Sequence, residues 1–426
     1  MGETWIDINE VAKSLREEFK ALYPLSDESS IYRVPERLRR LNDKAYTPQV
    51  VSIGPLHHGS QQLQAIEEHK RRYLQDFLQR TKVNMEEFLK TIRDREKKIR
   101  DCYAEPISLT SVDFVKMVFA DAAFIIEFLL RYSFNQLKKH NDPIFNRWSI
   151  IDVTLDLWLL ENQLPFFLLR ELFDQACIDS SFAGNDHRVT MITLTQKFST
   201  FIFQSFSIED KLDENIFSTI EHFVDVINVC LQPPDSVTKK TLKALKAPSA
   251  TELHHAGVKF LAGSSSKNLF EIKFNKGVLE IPRLRIVKAT EPLFRNVMAF
   301  EQRRSPHTYI TDYVNMMELL VISPKDVNLL VRKEIIENWL SGGEAVTSLF
   351  HNLIKETPTD LSDFYFSNVV EDLNSYCKDP WHQWKATLQE EYFKTPWAVV
   401  SIIAAVILLV LSFIQAVCSV LQVVSM

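Results

Sequence analysis

The sequence predicts a mainly α protein: a multi-helix, two-lobed domain with a small antiparallel β element, plus one C-terminal transmembrane helix. Three observations predict it. Glycine is scarce, 9 in 426 residues, where average usage is about 7%, and barrels, propellers and dinucleotide folds depend on glycine for tight turns. Apolar residues recur at three- and four-residue steps along most of the chain. Roughly 390 residues precede the last apolar run, beyond the size at which one core stops growing. With 46% hydrophobic and 24% charged residues and 29 Phe, the chain has bulk enough for such cores, which excludes global disorder.

Residues 1–30 read as an amphipathic helix, with Trp5, Ile8, Val11, Leu15 and Phe19 on one stripe. A Pro-punctuated connector follows, broken by Pro35, Pro48 and Pro55, with VVSI at Val50–Ile53 prone to β structure. Helical patterns then cover Leu63–Leu78, Met85–Tyr103, Val112–Leu137 and Ile150–Phe173, completing with two further helices a first lobe over 31–232. Pro- and Lys-rich 233–248 reads as a linker. The second lobe, 249–380, opens on a capping box, Ser249 with Glu252.

Four short β-prone runs come next, the middle pair joined by Asn275-Lys276-Gly277 as in a hairpin. Helices resume over Pro292–Arg303, Thr308–Val321, Pro324–Ile335, Glu344–Lys355 and Leu361–Cys377. Residues 381–395 read as a juxtamembrane stem, 396–417 as the transmembrane helix and 418–426 as a short tail. Trp397–Val417 is uncharged and spans about 31 Å as a helix, against a hydrocarbon core of about 30 Å. Without an N-terminal signal sequence, and with Lys385 and Lys394 before the span, the expected topology is single-pass and tail-anchored with the large domain cytosolic.

Candidate chemistry is sparse. Five scattered Cys have no C-x-x-C spacing, so reduced and mostly buried thiols are expected. The strings G-x-S-x-G, G-x-x-x-x-G-K-[ST] and G-x-G-x-x-G do not occur. His57-His58 is the histidine cluster of the first lobe; adjacent histidines at a turn diverge, which argues against a shared metal. His254-His255 falls at the end of a short helix, where the dipole favours a cation. Glu161, Asn162 and Gln163 lie inside apolar LWLLENQLPFFLL and must find partners if buried. A catalytic carboxylate of raised pKa is the sharper reading of Glu161. Residues 31–100 carry 16 Lys and Arg against 9 Asp and Glu, a charge bias that would attract anionic lipid or an acidic partner.

The strings IYRVPERLR (Ile31–Arg39), YTPQVVSIGPLHHG (Tyr46–Gly59), EEHKRRYL (Glu67–Leu74), LLENQLPFF (Leu159–Phe167), LEIPRL (Leu279–Leu284) and RNVMAFEQ (Arg295–Gln302) together resemble the plant family catalogued as domain of unknown function 247. Matching runs in order from about Ile31 to Ile354, with Leu56 standing where an aromatic is common. The resemblance implies a plant protein, mostly helical, at the plasma membrane or an endomembrane. It implies no enzymatic activity, cofactor or site residues; some relatives are associated with grass self-incompatibility.

The functional expectation is a membrane-tethered interaction or signalling module, with no catalytic residue, no cofactor, no metal and no nucleic acid. Its expected partners are the lipid bilayer through the C-terminal helix, a protein at the membrane, and anionic lipid through residues 31–100. The alternative is an enzyme, perhaps a hydrolase, using His57, His58 or Glu161.

Overall fold

The computed structural model describes residues 6–21, 26, 28–145, 149–178, 182, 189–208, 212–233, 241–242, 244–263, 268–304, 307–379 and 396–424. The expected stem at 381–395 lies outside them, as does most of the expected 233–248 linker. The described helices up to the β region are α1 (Ile8–Ala21), α2 (Glu36–Arg39), α3 (Gln64–Arg80), α4 (Met85–Asp101), α5 (Ser111–Ser133), α6 (Ser149–Asp156), α7 (Phe166–Ala176), α8 (Met191–Ser205), α9 (Glu214–Thr219), α10 (Phe223–Leu231) and α11 (Ala250–His255). After it come α12 (Thr290–Arg304), α13 (Tyr309–Leu320), α14 (Pro324–Arg332), α15 (Gly343–Ile354), α16 (Ser367–Lys378) and α17 (Pro396–Val424). The chain divides into two compact units: 1–201, 210–230 and 289–308 form the first, and the remainder forms the second.

The first unit is built on α5. Thr110 caps its start by accepting the Asp113 N–H, and its 23 residues are apolar nearly all round, so it must be surrounded. Helices α3, α4 and α7 pack against it, with Tyr73 against Phe124 at 5.0 Å and Phe88 stacked on Phe119 at 5.6 Å. Trp158 stacks on Phe198 at 5.4 Å. The amphipathic N-terminal helix forms as α1, yet Ile8, Val11, Leu15 and Phe19 on its apolar stripe are exposed.

The helix expected over Ile150–Phe173 is two helices, α6 and α7, separated by a buried irregular segment, 157–165. Pro165 sets the break by removing a donor and by disfavouring helical backbone at Leu164. Residues 50–53 form no strand, and 51–53 are buried. Their backbone groups are taken by side chains, as described below.

In the second unit the Ser249–Glu252 capping box is present at α11. The expected antiparallel sheet is instead mixed. Strand β1 (Lys259–Gly263) runs parallel to β3 (Val278–Pro282), and β2 (Lys273–Asn275) runs antiparallel to it. The β2–β3 hairpin turns through Lys276 at φ 48° and Gly277 at φ 78°, the two-residue turn that matches strand twist. A Cβ on Gly277 would also lie 2.7 Å from the Tyr376 hydroxyl. The run at Leu284 becomes β4 (Leu284–Ile286), which pairs in parallel with β5 (Ile336–Asn338). The helix expected to reach Ile335 therefore ends at Arg332, because the chain needs extended backbone to reach β4. Of the five thiols only Cys102 and Cys230 are buried, whereas Cys177 and Cys418 are exposed, fewer buried than expected.

At the C-terminus α17 forms, with Leu409 and Phe413 exposed. Among the described residues, however, no helix is long and apolar enough to cross a membrane. This corrects the expected transmembrane helix at 396–417, the single-pass, tail-anchored membrane reading and the lipid bilayer as partner through the C-terminal helix. Several cations of the basic segment, residues 31–100, are paired with acids. Arg39 pairs with Asp43 and Glu161, Lys70 with Glu67 and Asp121, Arg72 with Glu68, Arg80 with Glu127, Arg95 with Glu171 and Arg100 with Glu96.

One buried cation ties three segments of the first unit together. The Arg131 guanidinium, on α5, reaches Asp76 of α3 at 2.5 Å, Asp142 at 2.5 Å and Glu127 at 2.9 Å. It lies 4.2 Å over the Tyr73 ring, whose hydroxyl donates to Asp142. Arg131→Met would leave Asp142 buried without a cation, while Glu127 keeps Arg80 and Asp76 keeps Lys139, and breaking a buried pair from one side costs about 3–5 kcal/mol. Urea unfolding of the variant should show a loss of that size.

Candidate functional site

The string LLENQLP forms a polar knot inside an apolar shell. Glu161, Asn162 and Gln163 are each 1% exposed, and every one of their side chains is bonded. Asn162 accepts the Ile53 N–H at 2.7 Å and donates to the Val51 and Asp156 carbonyls. Gln163 donates to the Leu157 and Leu159 carbonyls and accepts the Phe223 N–H. Asp156 accepts the N–H groups of Gln49, Val50 and Val51. Side-chain oxygens thus replace the strand partner that VVSI would otherwise need.

Gly54 continues this segment at φ +70°. A Cβ there would meet the Gln163 carbonyl at 2.6 Å and the Tyr103 hydroxyl at 2.8 Å, so only glycine fits. Its N–H donates to Asp121, which also takes the buried Lys70 ammonium at 2.6 Å. From α12, Asn296 accepts the Leu160 N–H and donates to the Ala45 and Pro292 carbonyls. The Tyr32 hydroxyl donates to the Ala299 carbonyl. Five sequence strings from 31–302 therefore meet in one network.

Glu161 is the charged member. One oxygen accepts the Val34 N–H at 2.7 Å; the other takes Arg39 at 2.6 Å, with His57 Nε2 at 3.2 Å and Arg33 at 3.5 Å. The His57 contact is an ion-pair separation outside hydrogen-bond geometry. The turn at 55–58 separates the two histidines: His57 points inward and His58 is exposed. Burial pushes the Glu161 carboxyl up, but His57, Arg39 and the Val34 N–H outweigh it and hold the pKa below its ordinary value. The catalytic carboxylate of raised pKa is thus corrected: a proton acceptor must give up one partner before it can work. The structure brings His57 to Glu161 and leaves His58 apart.

His222 was missed in the sequence. It is fully buried, its Nε2 lies 3.2 Å from the Ser30 carbonyl, and its Nδ1 accepts the Asp225 N–H, which fixes the neutral tautomer. Burial depresses its pKa to about 3. The polar partners Asp156 and Asn296 were missed as well. Their signal was the same as that of Glu161, a lone polar group in an apolar run.

The His254-His255 pair occupies a different setting. With Thr251 on α11 and Lys325, Asn328, Leu329, Val331 and Arg332 of α14 it lines an open cleft of about 640 Å³ in the second unit. Among the described residues, no group of three His, Cys, Asp or Glu is arranged to hold a metal.

The family model described as DUF247, plant protein of unknown function, matches residues 31–411. The chain belongs to this family. It is similar to UPF0481 protein At3g47200 of Arabidopsis thaliana, 31% identical over 421 residues that cover 92% of this chain and 86% of that protein. It is also similar to Putative UPF0481 protein At3g02645 of the same plant, 23% identical over 478 residues, 91% of this chain and 89% of that one. No solved structure matches. Of the strings that carried the family resemblance, all but LEIPRL contribute to the network around Glu161–Gln163.

Two predictions follow from the buried charges of this DUF247 protein. Glu161→Gln removes the buried one of the two carboxylates that Arg39 pairs with and should cost about 2–3 kcal/mol at neutral pH by chemical denaturation. Because the folded pKa of Glu161 is lowered, its contribution is present above the ordinary value of 4.5 and lost as pH falls below it; the deficit of the variant should therefore shrink in acid. His222 must be neutral in the fold, so its contribution is present above pH 6.5 and lost as pH falls toward about 3. Wild type should lose about 2 kcal/mol relative to His222→Gln between pH 7 and pH 5. Asp156 and Asp225, each pushed up to about 6 by burial, have the opposite slope, and the comparison with the variant cancels them.

Proposed function

We propose that this plant protein is a non-catalytic recognition module whose partner-binding surface is the α11–α14 cleft. One observation carries the reading. The groups that an enzyme would use, Glu161 and His57, are held in an internal ion cluster, with Glu161 accepting Val34 N–H and Arg39 at 2.7 and 2.6 Å. The cleft, by contrast, is open, with Val331 38% exposed on its wall. A hydrolase built on His57 or Glu161 would have to dismantle the contacts that hold residues 34 and 39 in place.

The test is proximity labelling in plant tissue with the full chain, wild type against Val331→Asp. An exposed substitution should leave the melting temperature unchanged within about 0.5 kcal/mol of stability, while the set of labelled neighbours is lost. An unchanged set would remove the cleft as the recognition surface. Turnover on a panel of ester substrates that disappears in a folded His57→Ala variant would overturn the non-catalytic reading.

A further inference from the structure

Two helix faces line the α11–α14 cleft. Thr251, His254 and His255 fall at i, i+3 and i+4 on α11; Lys325, Asn328 and Arg332 fall at i, i+3 and i+7 on α14. Some of these charges have an ordinary cause. Arg332 is in the last turn of α14 and the histidine pair in the last turn of α11, where the helix dipole favours cations. Lys325 has the opposite setting. It is the second residue of α14, where unpaired N–H groups already create positive potential.

The acid of that turn does not compensate Lys325. Asp326 is 1% exposed and committed to the N–H and hydroxyl of Ser323 and to the Thr251 N–H. Among the described residues no carboxylate lies within ion-pair distance of Lys325 or Arg332, and no acid lines the cleft. The Thr251 hydroxyl oxygen is buried beside Asp326, outside hydrogen-bond geometry to any described group. Leu329 and Val331 add an apolar wall.

We infer that this cleft binds a phosphate monoester that carries an apolar group. The inference rests on the recognition reading and names its ligand class. Lys325 and Arg332 together match the charge of a phosphate dianion. The Arg fork suits its oxygens in pairs, whereas Lys contributes a point charge. The histidine pair adds further polar groups, and the apolar wall receives the organic part.

The test uses full-length protein with isotope-labelled histidine rings at constant pH, the signals assigned with His254→Asn and His255→Asn. Phenyl phosphate should shift the His254 and His255 signals ahead of those of exposed His58 and His351. Inorganic phosphate should do the same more weakly, lacking the apolar contact. Lys325→Glu and Arg332→Glu, both at exposed positions, should keep the melting temperature and raise the half-saturation concentration at least tenfold. A phosphotyrosine peptide that binds tighter than phenyl phosphate would assign the phosphate to a polypeptide; equal binding would assign it to a small soluble ester. Uniform shifts of all exposed histidines, or equal affinity in the charge variants, would overturn the inference. Failure of phenyl phosphate to bind, while Val331→Asp still changes the labelled neighbours, would overturn it and leave the recognition reading standing.

Discussion

The fold of the first unit depends on the buried polar segment Glu161-Asn162-Gln163. Apolar residues surround it on α5, α7 and α10, so each of its amide and carboxylate groups would cost several kcal/mol if unpaired. The groups are satisfied by backbone from distant segments: Val34, Val51, Ile53 and Phe223. This inverts the usual relation between core and connector. Residues 46–54 are neither helix nor strand, yet Val51–Gly54 are buried because side chains of 156, 162 and 121 act as the missing ladder. A segment held this way has one register, since a one-residue slip would leave three carboxylate and amide groups without donors at once.

The same logic limits what these residues can do chemically. Glu161 and His57 are 3.2 Å apart, a separation seen in acid–base pairs, and from distance alone an enzyme reading would follow. The surrounding charges decide otherwise. Arg39 and Arg33 both face the same carboxylate oxygen, which keeps Glu161 ionised. A hydrogen-bonded, ionised carboxylate under two guanidinium groups is a poor base and cannot act as an acid near neutral pH. Its geometry instead anchors the IYRVPERLR segment to the centre of the unit.

Periodicity made most helices legible, because α3, α4 and α5 have long stripes with clear stops. The buried, bonded character of Glu161–Gln163 was legible for the same reason, since polar groups in an apolar run have few alternatives. What could not be read was how the chain closes over distance. The α6–α7 break needed the weight of Pro165 against a continuous apolar pattern. The parallel pairing of β1 with β3 and of β4 with β5 leaves no local signal, because parallel partners are joined through long connections. At the C-terminus, the length and uncharged, apolar composition of the run suggested a spanning helix, and among the described residues no helix is long and apolar enough to cross a membrane.

The charges of the two units also follow different rules. In the first unit, Arg131, Lys70 and Arg39 are turned inward onto buried acids and act as struts. In the α11–α14 cleft, Lys325 and Arg332 stand without acids among the described residues, and their removal would strand nothing. A cation that stabilises no internal anion, placed at the unfavourable end of a helix dipole, contributes little to folding. In the recognition reading proposed above, its position answers to a group met from outside, whereas the chemistry around Glu161 is structural, although the sequence marks both regions by a pair of adjacent histidines.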